Sequence, residues 1–295
     1  MYRLSQCSEA DTFNVSIYDD GGFVASPKLE HVMNSNNSKM KVTKMLTEKD
    51  LEHFRVNGWL LIHPFTDEQV TSLGHMIDEV QAFKEDGDWL HHYEMTDSGP
   101  KLCRTENFIP FHDGLRELLT TGDLPEMVGE LLGEPVFLYK EKINYKLVGG
   151  AGFRPHQDAP AYPFIKKSIS VMIAIDESNA DNGCLEVCDA MHQELLPTDD
   201  GGCIVQQWTN THDWHQVEMR AGDVLIFDAL TPHRSGPNKS QKDRRAIFPT
   251  YNAQSEGDLR QTYYEEKLRV FNESTHTGEN VRISLINDFE GKPVK

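Results

Sequence analysis

The sequence predicts a mainly β fold, a jelly roll or β-sandwich with flanking helices packed on one sheet, and three features carry that expectation. After Pro135 the chain breaks into short segments rich in β-formers: "VFLYKEKINYKL", "SISVMIAID", "CLEV", "DVLIFDAL" and "RAIFPTYN". Gly, Pro, Asn and Asp turns separate them, with long connections. Before Pro135 the apolar spacing is helical instead.

Residues 1 to about 40 carry Asp11, Asp19, Asp20, Glu30 and the polar run "NSNNSK", a composition that reads as a poorly ordered extension without chemistry. Residues 41–295 then read as one domain, since neither an internal repeat nor a linker interrupts them. In "LTEKDLEHFRVNGWLLIHPF", Thr47 caps a short helix with Asp50 three residues on, Leu51 and Phe54 share its apolar face, and Gly58 ends it. A strand from Trp59 to Phe65 follows. A second helix is expected from Thr66 to about Phe83. A third, from about Gly114 to Leu132, is interrupted by Gly122 and Pro125 and closed by Gly133. Between these helices "HHYEMTDSGPKLCRTENF" reads as irregular, a candidate lid carrying Tyr93, Arg104 and Asn107.

The composition narrows the partners. Over 295 residues, 29 basic against 47 acidic side chains give a net charge of −18. The average surface therefore repels nucleic acid and anionic lipid, while a small pocket can still be locally positive. A small-molecule substrate is expected, with no nucleic acid and no membrane partner; the sequence does not set an oligomeric state. Five scattered cysteines without a CxxC pair and the lack of an apolar run of roughly 18 residues point to a cytoplasmic protein. Cys184 and Cys188 in "CLEVC" read as packing residues.

"RPHQDAPAY" sets His156 and Asp158 two apart, so in extended backbone both side chains reach the same side and Gln157 faces away. His233 lies just past the apolar strand "DVLIF". Two imidazoles and one carboxylate on one face are the set that binds Fe(II) and leaves positions open for cosubstrate and dioxygen. Arg244, eleven residues past His233, opens the last strand; its guanidinium can grip a carboxylate in a two-pronged pair, and Ser235 can add a hydroxyl. Alternation along "YKEKINYK" puts Lys140, Lys142, Asn144 and Lys146 on one face, where they either line a site or solvate an edge strand.

With "KINYK", "HQDAPAYPF", "NGCLEV" and "GDVLIFDALTPHRSGPNKSQKDRRAI" in this order, residues from about 45 to 260 resemble the phytanoyl-CoA dioxygenase family of Fe(II)- and 2-oxoglutarate-dependent oxygenases. The resemblance implies a double-stranded β-helix core, a cupin-like jelly roll. It implies Fe(II), 2-oxoglutarate and O2, with His156, Asp158 and His233 as catalytic metal ligands. Arg244, Ser235, Asn144 and Lys140 would bind the cosubstrate; Lys142, Tyr162, Phe248 and Arg104 would meet the substrate. The aromatic residue that some members carry on the strand after HxD is replaced here by the Val171, Met172, Ile173 stretch. The retained Asp158 implies oxidation of an unactivated C–H bond by hydroxylation, desaturation or ring closure. The lysine face suggests a small anionic metabolite, an aminophosphonate or an amino-acid derivative. The alternative is a non-catalytic double-stranded β-helix protein that binds metal or ligand; a Zn or Mn cupin-like enzyme fits less well, because such sites show more clustered histidines.

Overall fold

Capping chemistry delimits the first helices as the sequence implies. The computed structural model describes residues 46–84, 87–96, 99–162, 164–277, 281–282 and 290–291; the extension expected over residues 1–40 lies outside the described residues. In α1 (Glu48–Asn57) the Thr47 hydroxyl accepts from the Asp50 N–H and the Asp50 carboxylate accepts from the Thr47 N–H, and Gly58 ends the helix at φ +82. β1 is only Trp59–Ile62, shorter than expected, because Pro64 has no N–H to continue a ladder. α2 (Asp67–Gln81) opens on a second such box, Thr66 with Gln69. The expected third helix is two, α3 (Asp113–Thr120) and α4 (Asp123–Leu132). Gly122 turns between them at φ +79, and Pro125 falls in the first turn of α4, where its missing N–H leaves no bond unmade.

The reading of residues 91–108 as an irregular lid is overturned. That stretch lies almost wholly in an antiparallel hairpin, β2 (Leu90–Thr96) with β3 (Gly99–Glu106). Its buried positions include His92, Arg104 and Glu106 beside Leu90, Cys103 and Thr105, so polar side chains on the inside mask the hydrophobic alternation. There follow β4 (Val136–Lys146), β5 (Phe153–His156), β6 (Ser168–Ala174), β7 (Leu185–Val187), α5 (Gln206–Thr209), β8 (His215–Val217), β9 (Val224–Asp228), β10 (His233–Ser235), β11 (Arg244–Ala253) and α6 (Arg260–Thr277).

A seven-stranded sheet runs β1-β9-β6-β11-β4-β3-β2 and a four-stranded sheet β5-β10-β7-β8, with every pairing antiparallel. Alternation along the larger sheet divides its side chains between two cores. Ile143, Ile169, Val171, Ile173, Val224, Ile226 and Ile247 cluster with Leu73 and Ile77 of α2, Leu115 and Leu119 of α3 and Leu124 of α4. Met172, Leu225, Phe227 and Ala246 turn the other way, against Leu185, Val187 and Val217 of the smaller sheet. This is the jelly-roll sandwich with helices on one sheet that the sequence predicted.

One irregularity matters for the site. β11 pairs Thr250 with Lys140 and Tyr251 with Leu138, so Tyr139 is an extra residue in β4. Such a bulge re-aims neighbouring side chains; Tyr139 packs against Tyr162 while Leu138 joins the helical core. Behind β4, Glu141 is wholly buried and receives Arg260 Nη2 at 2.8 Å and Tyr264 Oη at 3.2 Å, both from α6. Replacing Arg260 with Met strands that carboxylate. Unfolding free energy should fall by about 3–5 kcal/mol, read as a lower urea midpoint at constant m-value; an unmoved midpoint means the pair does not stabilise the fold.

Candidate metal centre and its cavity

His156 ends β5 and His233 opens β10, and the two are direct partners in the ladder, so backbone hydrogen bonding sets their separation. Their ring centroids are 4.2 Å apart. Asp158 does not continue the strand: it starts a 3-10 turn at φ −73, ψ −31, and its Oδ1 still comes to 3.8 Å from each Nε2. The donor atoms of the three residues all lie within 4.8 Å of one another. Gln157 points away, as expected, and fastens the turn by donating to the carbonyls of Leu230 and Glu194 while accepting from the Leu196 N–H.

Hydrogen bonds assign the ring nitrogens. His156 Nδ1 lies 2.7 Å from the Arg154 carbonyl and His233 Nδ1 lies 3.0 Å from that of Thr231. A carbonyl only accepts, so each Nδ1 carries the proton and each Nε2 offers its lone pair to the gap. Asp158 Oδ2 accepts from Ser170 Oγ at 2.5 Å, leaving Oδ1 free. Burial, then His233, push His156 down to about 3, so it stays a neutral ligand. Burial works to raise the Asp158 carboxyl, but His233, His156, Lys142 and Lys140 outweigh it and hold the group ionised below the usual carboxylate range. Two imidazoles and one carboxylate, each oriented by a further hydrogen bond, fit Fe(II).

All eleven side chains to which the family resemblance gives an iron, cosubstrate or substrate role border a single cavity around this gap. Its two ends differ. At one end β11 and β4 set Arg244 opposite Lys146. Arg244 Nη1 donates to Ser178 Oγ at 2.6 Å and to the Gly183 carbonyl at 3.2 Å, and its buried Nε has no partner among the described residues. Lys146 Nζ reaches Ser235 Oγ and the same Gly183 carbonyl, both at 3.1 Å; burial, then Arg244, lower it to about 7. Gly183 must be glycine. It sits at φ +72, and a Cβ there would lie 2.2 Å from the Gly236 carbonyl oxygen. Two cations and a hydroxyl around an unmet N–H fit a carboxylate.

At the other end Lys140 Nζ lies 4.4 Å from the Tyr162 ring centre and Lys142 Nζ 5.2 Å from that of Phe248. Six residues of strand, about 20 Å, separate Lys140 from Lys146. The structure thus groups Lys140 with Lys142 and Tyr162 rather than with Arg244. Asn144 lies between the ends and accepts from Arg104 Nε at 3.0 Å. Tyr93 and Asn107, the other candidate lid residues, do not border the cavity; Asn107 bonds the Asp88 carbonyl and Arg260. Ser170 went unnoticed in the sequence, although alternation in "SISVMIAID" places it on the inner face.

A sequence model of the family described as phytanoyl-CoA dioxygenase (PhyH) matches residues 54–246. The chain belongs to this family. Like its members, it is an Fe(II)- and 2-oxoglutarate-dependent dioxygenase. Among curated relatives, a methylphosphonate hydroxylase of Gimesia maris is 44% identical over 254 residues, spanning 85% of this chain and 98% of that protein. A 2-aminoethylphosphonate dioxygenase from an uncultured bacterium is 36% identical over 76% of this chain and 88% of its own length. Among solved structures, EctD of S. alaskensis with 2-oxoglutarate and 5-hydroxyectoine superposes with a TM-score of 0.63 at 19% identity, over 78% of this chain and 83% of that one. The PhyH relatives are enzymes, which supports the oxygenase over the non-catalytic alternative. Ser170→Ala removes the donor to Asp158 and should weaken Fe(II) binding about 10- to 100-fold in an anaerobic chelator competition; unchanged affinity would leave Asp158 without this support.

Proposed function

We propose that this oxygenase hydroxylates a small phosphonate, with methylphosphonate the first substrate to test. One observation carries the reading: Lys140 and Lys142 both face the cavity, and among the described residues neither meets a carboxylate within ion-pair distance. Burial, then Arg104 and Lys140, hold Lys142 well below the usual lysine range, and a doubly charged anion bound between the two lysines would stabilise their charged forms. A phosphonate is such an anion, and two of the curated relatives act on phosphonates by name.

In this reading His156, Asp158 and His233 hold Fe(II). Arg244, Lys146 and Ser235 grip the far carboxylate of 2-oxoglutarate, and Asn144 touches the cosubstrate. Lys140, which the resemblance put beside the cosubstrate, joins Lys142, Arg104, Tyr162 and Phe248 on the substrate side. With its cosubstrate and dioxygen the iron supplies a two-electron oxidation of an unactivated C–H bond, releasing succinate and carbon dioxide. The chain's own work is placement: the lysines fix the anion, Tyr162 and Phe248 exclude water beneath it, and the short P–C bond leaves only the carbon next to phosphorus within reach. We place this chemistry in a single domain over residues 41–295 of a cytoplasmic protein, in keeping with its free, scattered thiols.

Two variants separate the ends of the cavity. Lys142→Met should raise KM for methylphosphonate about tenfold or more and leave KM for 2-oxoglutarate nearly unchanged. Arg244→Met should do the reverse. Succinate release that methylphosphonate does not stimulate in the unmodified enzyme rules this substrate out, and a parallel rise of both constants in either variant removes the two-ended assignment.

A further inference from the structure

Glu106 on β3 stands directly opposite Lys142 on β4. Opposite charges at such a cross-strand position have Cβ atoms about 4.5–5.5 Å apart and ordinarily pair. Here they do not. The Glu106 carboxylate, only 2% exposed, forms its ion pair with Lys267 of α6, with Arg104 Nη1 at 3.6 Å and His92 Nε2 at 3.5 Å beside it. Lys142 lies over Phe248 instead. Burial alone works to raise Glu106, but Lys267, His92 and Arg104 hold it ionised, below the usual range.

Lys267 is seated firmly. Its Nζ is 3.3 Å from Tyr263 Oη and 5.5 Å from that ring's centre. Its helix is anchored one and two turns earlier by Tyr264 and Arg260 on the buried Glu141. A buried carboxylate that lost this partner would turn to the next cation within reach, since a desolvated unpaired charge costs several kcal/mol. Arg104, two residues back on the same face, already stands beside it at 3.6 Å and is shared with Asn144; the next cation on that sheet face is Lys142, directly across the strand pair.

We infer that Lys267 is a positioning residue: by occupying Glu106 it keeps that carboxylate off Lys142, and so leaves the Lys142 ammonium open to the substrate's anionic group. The inference rests on the phosphonate reading only for the identity of the anion. α6 then acts on recognition from outside the cavity, because Lys267 does not border it.

The test is a double-mutant cycle in the full chain, read in two ways. Methylphosphonate binding is measured by calorimetry on anaerobic Fe(II)- and 2-oxoglutarate-loaded protein. Separately, acetylation of Lys142 by limiting acetic anhydride is quantified by mass spectrometry without any phosphonate present. In Lys267→Met, Kd should rise about tenfold or more, and Lys142 should become protected as Glu106 closes on it. Adding Glu106→Gln to Lys267→Met should bring Kd back to within about threefold of the unmodified protein and restore labelling. A helix that merely stabilises the fold predicts instead that the second substitution adds to the damage. A double variant no better than Lys267→Met, or Lys142 labelling that Lys267→Met leaves unchanged, overturns the inference. If the unmodified protein binds no methylphosphonate, the substrate reading fails and labelling alone decides. Lys267→Gln, which removes the charge while keeping a donor, serves if Lys267→Met does not fold.

Discussion

Buried positive charge with too little protein counter-charge is the constraint on which this structure turns. Lys140, Lys142, Lys146, Arg104 and Arg244 all border one cavity, and burial lowers Lys142, Lys146 and Arg244 below their usual range. The scaffold meets that demand with rigidity. β4, which carries three of these cations, is hydrogen-bonded on both sides, to β3 and β11, and is packed from behind by helices. In the proposed function, anions arriving from solution complete the electrostatics. Ligand binding and relief of internal repulsion are then one event, and the net charge of −18 says nothing about how the interior attracts an anion.

The metal centre follows a different logic. Its two imidazoles face each other across a hydrogen-bonded strand pair, and backbone carbonyls and Ser170 orient the three ligands. The sheet thus sets the two imidazoles, and the turn fastened by Gln157 sets the carboxylate.

Much of this was legible in the sequence because the pleat has a period of two. That period gathered Lys140, Lys142, Asn144 and Lys146 on one face; His156 and Asp158 do meet, but through a 3-10 turn that the extended reading did not foresee. The period failed where the buried residues were charged. In β2 and β3 the inward positions include His92, Arg104 and Glu106, which mask the hydrophobic pattern, so a hairpin passed for a loop. β5, β8 and β10 are three or four residues long, too short to show any period, although two of the candidate metal ligands sit on them. The grouping of Lys140 depended on distance along the strand, which resemblance alone does not supply. The carboxylates that α6 neutralises lie more than a hundred residues away in sequence, and only folding brings them together.

The extra residue at Tyr139 has a consequence for how such a protein can change. From Asn144 to Lys140 even-numbered positions of β4 face the cavity, but the bulge breaks the rule beyond that point, so the strand's two ends are phased independently. A lineage can therefore lose or regain that single residue and re-aim only residues 136–138, of which Val136 and Leu138 pack toward the helical core. Lys140, Lys142, Asn144 and Lys146 keep one common register throughout, so the cavity wall is insulated from changes at the start of its own strand.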